Sequence, residues 1–343
     1  MGGGIIGLYT AYSLLGHGLT ITVIDQGEFG QQSSWASGGI LTPLLPWNYS
    51  QKVIDLIMGA GQTYKKQAAT LLSSTGIDIE FWQCGMQILD PSELNSAQDW
   101  CNKYNFSLET SNNTITLPTC AQLRSPRLIQ ALVHYLKSNG VILLSNTTFN
   151  KMNIIDSSIR SVSTSIGEIE TNQLIFAGGT LQHRGYAPNS DYQLPQIQPV
   201  RGQIIAFKAP EIELDTVLYL KGYYLIPRKD GLILAGSTLE HVGFDQQLTA
   251  TAREELKDMA FQILPALREY PIVHQWSGLR PGSKNNIPTI GPHPAINGLY
   301  LNCGHFRYGV AMAPHSATII RDWLLDPSNP SNNSTYLMHQ KTL

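Results

Sequence analysis

The sequence predicts an α/β protein: a doubly wound, Rossmann-type domain joined to an α+β domain built on an antiparallel sheet, with the first strand of the Rossmann sheet missing. Three observations predict it. The chain opens on Gly2-Gly3-Gly4-Ile5-Ile6-Gly7, a G-x-G-x-x-G turn. Val141-Ile142-Leu143-Leu144 and Leu174-Ile175-Phe176-Ala177 are short apolar runs with β-branched content, which fit buried parallel strands. Gln203 to Lys208, Val217 to Leu225 and Gly231 to Ala235 fit an antiparallel meander instead, with Lys229-Asp230-Gly231 marking a turn.

Each element follows from local chemistry. In the opening turn Gly2 allows the tight bend, Gly4 lets backbone N–H groups approach a diphosphate without an intervening Cβ, and Gly7 permits close packing of the following helix. Ile5, Ile6, Leu8, Leu14 and Leu15 give that helix an apolar face, and Gly16 and Gly18 stop it. Leu19 to Ile24 then alternates as a strand that ends at Asp25. Asp25 lies 18 residues past Gly7, where a carboxylate accepts a hydrogen bond from a ribose 2′-hydroxyl; the alternative is an ordinary turn residue at a strand end. Only Met1 precedes the turn, so the strand that normally leads into it is missing. The expectation is a lost N-terminus, with weaker stability and cofactor retention.

Helices are expected near Gln51 to Leu72 and from Pro126 to Ser138, the latter ending at Gly140. The Asn/Ser/Thr-rich stretch Asn105 to Thr119 reads as a loop, and the tail from Asp326 to Ser334 as frayed. With 343 residues, 42% apolar and 14% charged, the chain is long enough for a large core or two modest domains. A net charge of −2 gives no basic field for a nucleic-acid backbone. No apolar run reaches the roughly 20 residues of a bilayer span, so a cytoplasmic protein is expected. Cys84, Cys101, Cys120 and Cys303 lack the spacing of a zinc site or disulfide framework, and no metal is expected.

Four stretches carry candidate chemistry. Ser33-Ser34-Trp35-Ala36-Ser37-Gly38-Gly39-Ile40-Leu41 is a run of small residues and backbone donors that can line a diphosphate or a flavin ring, or form a surface loop. Ala177-Gly178-Gly179-Thr180 is a second glycine turn after a strand. Ser277-Gly278-Leu279-Arg280-Pro281-Gly282 and Gly304-His305-Phe306-Arg307-Tyr308-Gly309 set arginines among glycine and apolar residues. A guanidinium fork there suits a carboxylate, supplied by a ligand or by the protein itself. Tyr224, before Leu225-Ile226-Pro227-Arg228, offers a hydroxyl to the same anion, or simply fills core. No Ser, Cys or acid is spaced to make His305 part of a triad, so it reads as structural.

Taken in order, these motifs together with Pro199-Val200-Arg201-Gly202-Gln203 and Gly236-Ser237-Thr238 resemble the FAD-dependent D-amino acid oxidase family, nearest within it to the bacterial glycine oxidases of thiamine biosynthesis. The resemblance spans nearly the whole chain. It implies a discontinuous FAD-binding domain, residues 1–78, 123–197 and 280–343, and a substrate-binding domain, residues 79–122 and 198–279. It implies that Arg280 binds a substrate carboxylate, Tyr224 assists, and Arg307 belongs to the active-site wall. Gly2, Gly4, Ile5, Ile6, Gly7, Asp25, Ser33, Ser34, Ser37, Gly38, Gly39, Ile40, Leu41, Ala177, Gly178, Gly179, Gly304, His305, Arg307, Tyr308 and Gly309 would then contact FAD. Similar glycine oxidases often carry Met where this chain has Leu239.

The implied reaction is oxidative deamination of glycine, sarcosine or a small D-amino acid, with dioxygen as acceptor and no protein general base. The expected partners are that amino acid, dioxygen and further copies of the chain. Alternatives are a flavin dehydrogenase feeding a quinone, an NAD-dependent Rossmann enzyme, or an inactive flavoprotein.

Overall fold

The protein is described from a computed structural model over residues 1–111, 113–180 and 194–338. Its largest sheet has eight strands, in the order Ile272–Gly282, Gln198–Lys208, Leu232–Gly236, Tyr223–Pro227, Val217–Leu220, Met86–Ile88, Thr114–Leu117 and Glu109–Ser111. All neighbours are antiparallel except Val217–Leu220 and Met86–Ile88. Both faces are covered, and the period-two alternation of a strand sorts the side chains between them. Ile205, Phe207, Leu225, Ile233 and Ala235 meet Leu256 and Ala260 of helix Ala250–Ile263. Ile204, Ala206, Tyr224, Ile226 and Leu234 face the opposite way, toward Leu44, Leu45, Ile54 and Trp100.

The expected meander is present, with the Val217 to Leu225 stretch turning at Lys221-Gly222 into two strands. The stretch Asn105 to Thr119 departs from its expected loop. Apart from Asn112, which lies outside the described residues, it forms a hairpin that joins this sheet, because Ile115 and Leu117 alternate into the core.

The Rossmann elements surround the glycine turn. Thr22–Ile24 pairs in parallel with Ile142–Leu144, and Leu174–Phe176 in parallel with Leu299–Cys303. No described strand joins the two pairs. Met1 and Gly2 bridge them by backbone hydrogen bonds: the Met1 nitrogen donates to the Ile175 carbonyl at 2.7 Å, the Ala177 N–H to the Met1 carbonyl at 2.8 Å, and the Gly2 N–H to the Ile24 carbonyl at 2.9 Å. Helices Ile5–Ser13, Ala60–Thr75, Ser125–Ser138 and Gly309–Leu325 share one core through Leu8, Leu71, Leu132 and Ala317. No described helix is long and apolar enough to cross a membrane.

Three further expectations are corrected. Ile142–Leu144 is parallel but not buried, since it has a single strand neighbour and Ile142 is 47% exposed. The helix expected near Gln51 to Leu72 is two, Gln51–Ile57 and Ala60–Thr75, parted at Gly59, whose φ of 82° is left-handed. The tail is fastened rather than frayed. The Trp323 indole donates to the Asn333 carbonyl at 3.1 Å, and the buried Tyr336 donates to the Lys52 carbonyl at 2.8 Å.

Tyr64, fully buried, ties helix Ala60–Thr75 to the last helix by donating to the Val310 carbonyl at 2.8 Å. Tyr64→Phe leaves that carbonyl without its donor and is expected to lower unfolding free energy by about 1 to 2 kcal/mol, measured by chemical denaturation.

Candidate active site

A single cleft gathers the sequence-derived candidates. It holds about 1660 Å³ of atom-free space, its solvent-open mouth included. Its walls come from the opening turn, the run around Ser33 to Ile40, Ala177 to Thr180, the ends of three strands of the large sheet, and His305 to Val310.

At one end lies the glycine turn. Gly2 has φ 102°, and a methyl at Gly7 would come within 1.8 Å of the Gly2 carbonyl oxygen, so the helix starts as close to the turn as backbone allows. The N–H groups of a helix's first turn have no partner within it and carry its positive end. Here Ile5 N–H donates to Ser34 Oγ at 2.9 Å, and Gly4, Ile5 and Ile6 line the cleft. Asp25 lines it too, its Oδ2 accepting from Gly3 N–H at 2.7 Å and its Oδ1 from Gly27 N–H at 2.9 Å. The run after it is pinned down rather than loose. Ser33 donates to the Leu279 carbonyl, Ser37 Oγ lies 2.7 Å from Ser125 Oγ, and Leu123 N–H donates to the Gly39 carbonyl at 3.0 Å.

At the other end is Arg280, on strand Ile272–Gly282 opposite Val200. Its guanidinium lies across Gly202, where a methyl would sit 2.2 Å from both terminal nitrogens. Nη2 donates to Ser237 Oγ at 2.8 Å, and Nη1 to the carbonyls of Thr238 at 3.1 Å and Arg201 at 3.4 Å. Among the described residues no carboxylate forms an ion pair with it. Burial lowers its pKa, the nearby Tyr224 opposes that shift, and the Arg307 charge adds to it. The Tyr224 hydroxyl is near enough that a methyl on Gly236 would approach it to 2.6 Å. The half-buried Arg307 lines the cleft, its own N–H donating to Asn286 Oδ1 at 3.3 Å.

Behind the wall, the buried Arg228 donates to Gln122 Oε1 at 2.6 Å, the Leu123 carbonyl at 3.0 Å and the Gly38 carbonyl at 2.8 Å. Burial pushes its pKa down to about 10. His305 is buried with Nε2 2.9 Å from Ser316 Oγ, and burial pushes its pKa down to about 3, so the ring is neutral.

Of the sequence-derived candidates, Gly7, Leu41 and Gly304 do not line the cleft. Gly7 abuts the turn, Leu41 is core, and Gly304 packs near Ile197 and Ser283. Sequence reasoning passed over Thr42, Ile204, Ser237 and Phe306 as cleft residues, although Ser237 and Phe306 sit inside motifs already singled out.

The turn and the carboxylate at the strand end suit a dinucleotide, and the arginine suits an anion. The chain matches the FAD-dependent oxidoreductase (DAO) family over residues 1–323 and belongs to it. It is 36% identical over 341 residues to a glycine oxidase of Pseudomonas putida, covering 94% of this chain and 93% of that one. A bifunctional ThiO/ThiG protein of Trichormus variabilis is 26% identical, over 95% of this chain and 52% of its own. The crystal structure of glycine oxidase from Geobacillus kaustophilus superposes with a TM-score of 0.90 at 22% identity, covering 99% of this chain and 97% of that one. The chain is therefore an FAD-dependent enzyme of the amino acid oxidase class.

The His305 shift has a consequence for stability. Its folded pKa lies below the unfolded value, so the unfolded chain takes up a proton first as pH falls, and stability is lost from about pH 6.5 downward. Between pH 7 and pH 5 the wild type is expected to lose about 2 kcal/mol more unfolding free energy than His305→Gln, measured by denaturant titration.

Proposed function

We propose that this protein oxidatively deaminates glycine, sarcosine or a small D-amino acid, giving a 2-oxo acid, ammonia (methylamine from sarcosine) and hydrogen peroxide. The observation that carries this reading is the Arg280 fork, half-buried and free of any described carboxylate partner, in the same cleft as Tyr224 and the glycine turn. Residues 1–78, 123–197 and 280–343 would form the cofactor-binding domain, 181–193 and 339–343 lying outside the described residues. Residues 79–122 and 198–279 would form the substrate domain. The product of glycine oxidation would feed thiazole synthesis in thiamine formation, a reading supported by the likeness to the ThiO/ThiG protein.

The residues present fit FAD. The helix N-terminus at Gly4 to Ile6 suits a diphosphate. Each Asp25 oxygen accepts one N–H and keeps a lone pair for a ribose hydroxyl. Ser33, Ser34, Ser37, Gly38, Gly39, Ile40, Ala177, Gly178, Gly179, His305, Tyr308 and Gly309 would line the rest. Gly7, Leu41 and Gly304 would support that wall without touching it. When bound, FAD supplies the two-electron acceptor.

The protein's own contribution is orientation. Arg280 and Tyr224 would hold the substrate carboxylate, and Arg307 would close the wall beside it, so that the Cα–H is presented at a fixed place. Asp25 is the sole carboxylate among the described lining residues, and both its oxygens are engaged at the far end of the cleft. His305 is neutral and tied to Ser316. The substrate amine therefore enters deprotonated, its lone pair driving the loss of hydride from Cα. The imine is then hydrolysed by water. One amino acid, one dioxygen and one water give one 2-oxo acid, one amine and one peroxide.

Arg280→Lys replaces a planar fork with a point charge and is expected to raise KM for glycine about 10- to 100-fold. Tyr224→Phe is expected to raise it about 10-fold. Steady-state kinetics with peroxide detection tests both. Unchanged KM in Arg280→Lys contradicts the carboxylate assignment, and substrate turnover without peroxide favours a dehydrogenase.

A further inference from the structure

The contacts of Arg280 are themselves organised by one carboxylate outside the cleft. After strand Leu232–Gly236 the chain is stitched back onto Gln198–Lys208: Glu240 N–H donates to the Arg201 carbonyl and Arg201 N–H to the Glu240 carbonyl, both at 2.9 Å. The Glu240 side chain is the hub of this segment. Its Oε2 accepts from Arg201 Nε at 3.1 Å and Nη2 at 2.6 Å, and its Oε1 from Thr238 Oγ1 at 2.5 Å and Gln203 Nε2 at 3.0 Å. Thr238 Oγ1 in turn accepts from Gln203 N–H at 2.9 Å. Arg201 is 4% exposed and also donates to Asp245 Oδ2 at 2.6 Å and the Gln247 carbonyl at 3.1 Å. Burial raises the Glu240 pKa, but the bonds from Arg201, Thr238 and Gln203 outweigh it and hold the carboxyl below the usual range.

The far side of this segment is what Arg280 touches. The Thr238 carbonyl and the Ser237 hydroxyl accept from its two terminal nitrogens, and the Arg201 carbonyl accepts from both Arg280 and Glu240 N–H. One ion pair thus fixes the hydroxyl of Thr238, and the same residue's carbonyl fixes the fork. We propose that Glu240, held by Arg201, is a positioning residue for substrate-carboxylate recognition: it aims Arg280 through Thr238 and Ser237 without itself entering the cleft. This rests on the reading of Arg280 as the carboxylate anchor.

The test uses the FAD-loaded protein and two readouts: glycine kinetics, and the affinity for acetate, a carboxylate with no amine to oxidise, measured by calorimetry. Glu240→Gln keeps the shape but removes the charge, and is expected to weaken acetate binding and raise glycine KM about 10-fold while kcat changes by less than about 3-fold. Glu240→Asp restores the charge and is expected to recover part of the affinity. Thr238→Val removes only the hydroxyl that joins Glu240 to this segment, so it serves if Glu240→Gln does not fold, and is expected to weaken acetate about 5-fold. Arg280→Lys separates the two readings. If it leaves acetate affinity unchanged, the anchor reading fails. If it weakens acetate while folded Glu240→Gln and Thr238→Val stay within about 2-fold of wild type, the anchor stands and the positioning role of Glu240 is overturned.

Discussion

A guanidinium drawn partly out of water must find acceptors, and if none is a carboxylate the site keeps a positive charge waiting for an anion. Arg280 is in that position. Two carbonyls and a hydroxyl satisfy part of its fork, and among the described residues it has no ion-pair partner. The surrounding structure is arranged to tolerate this. Gly202 gives up its side chain so that the fork can lie flat on the sheet, and the acidic groups of the neighbourhood are taken by Arg201 instead. A more deeply buried guanidinium, Arg228, is also held by neutral acceptors and grips the Gly38 carbonyl from behind the cleft. The two arginines differ in what faces them. Arg228 is enclosed, whereas Arg280 lines open space.

The large sheet explains how such a site is built from distant sequence. Strand Gln198–Lys208 pairs with Ile272–Gly282 on one side and Leu232–Gly236 on the other, so Gly202, Arg280 and the Ser237-Thr238 segment meet although they lie up to 78 residues apart. Helix Ala250–Ile263 buries one face of that sheet, and residues from the Leu44–Trp100 region bury much of the other. Side chains on a sheet packed from both sides have few rotamers open to them. That rigidity suits the orienting role proposed for Arg280 and Tyr224.

Much of this was legible in the sequence because it is written locally. The glycine turn, the alternating strand ending in Asp25 and the glycine-flanked Arg280 each carry their meaning within about ten residues. What was not legible depends on partners far along the chain. Glu240 looks like an ordinary loop acid until Arg201 and Thr238 close around it. The edge position of Ile142–Leu144 follows from how many strands flank it, which an apolar run cannot reveal. The hairpin within Asn105 to Thr119 was masked by polar composition, since Ile115 and Leu117 are the only large apolar residues of its inner strand. The spacing of Asp25 suggests a ribose ligand, whereas the bonds seen in the structure are from the Gly3 and Gly27 amides.

In the proposed function, this cleft recognises a carboxylate and takes electrons from the carbon beside it. The most direct measurement is the anaerobic visible spectrum of the FAD-loaded protein, titrated with glycine and, separately, with methylamine, which carries the amine without the carboxylate. Glycine is expected to bleach the flavin band and methylamine to leave it unchanged. Bleaching by both at similar concentrations, or by neither, would contradict it.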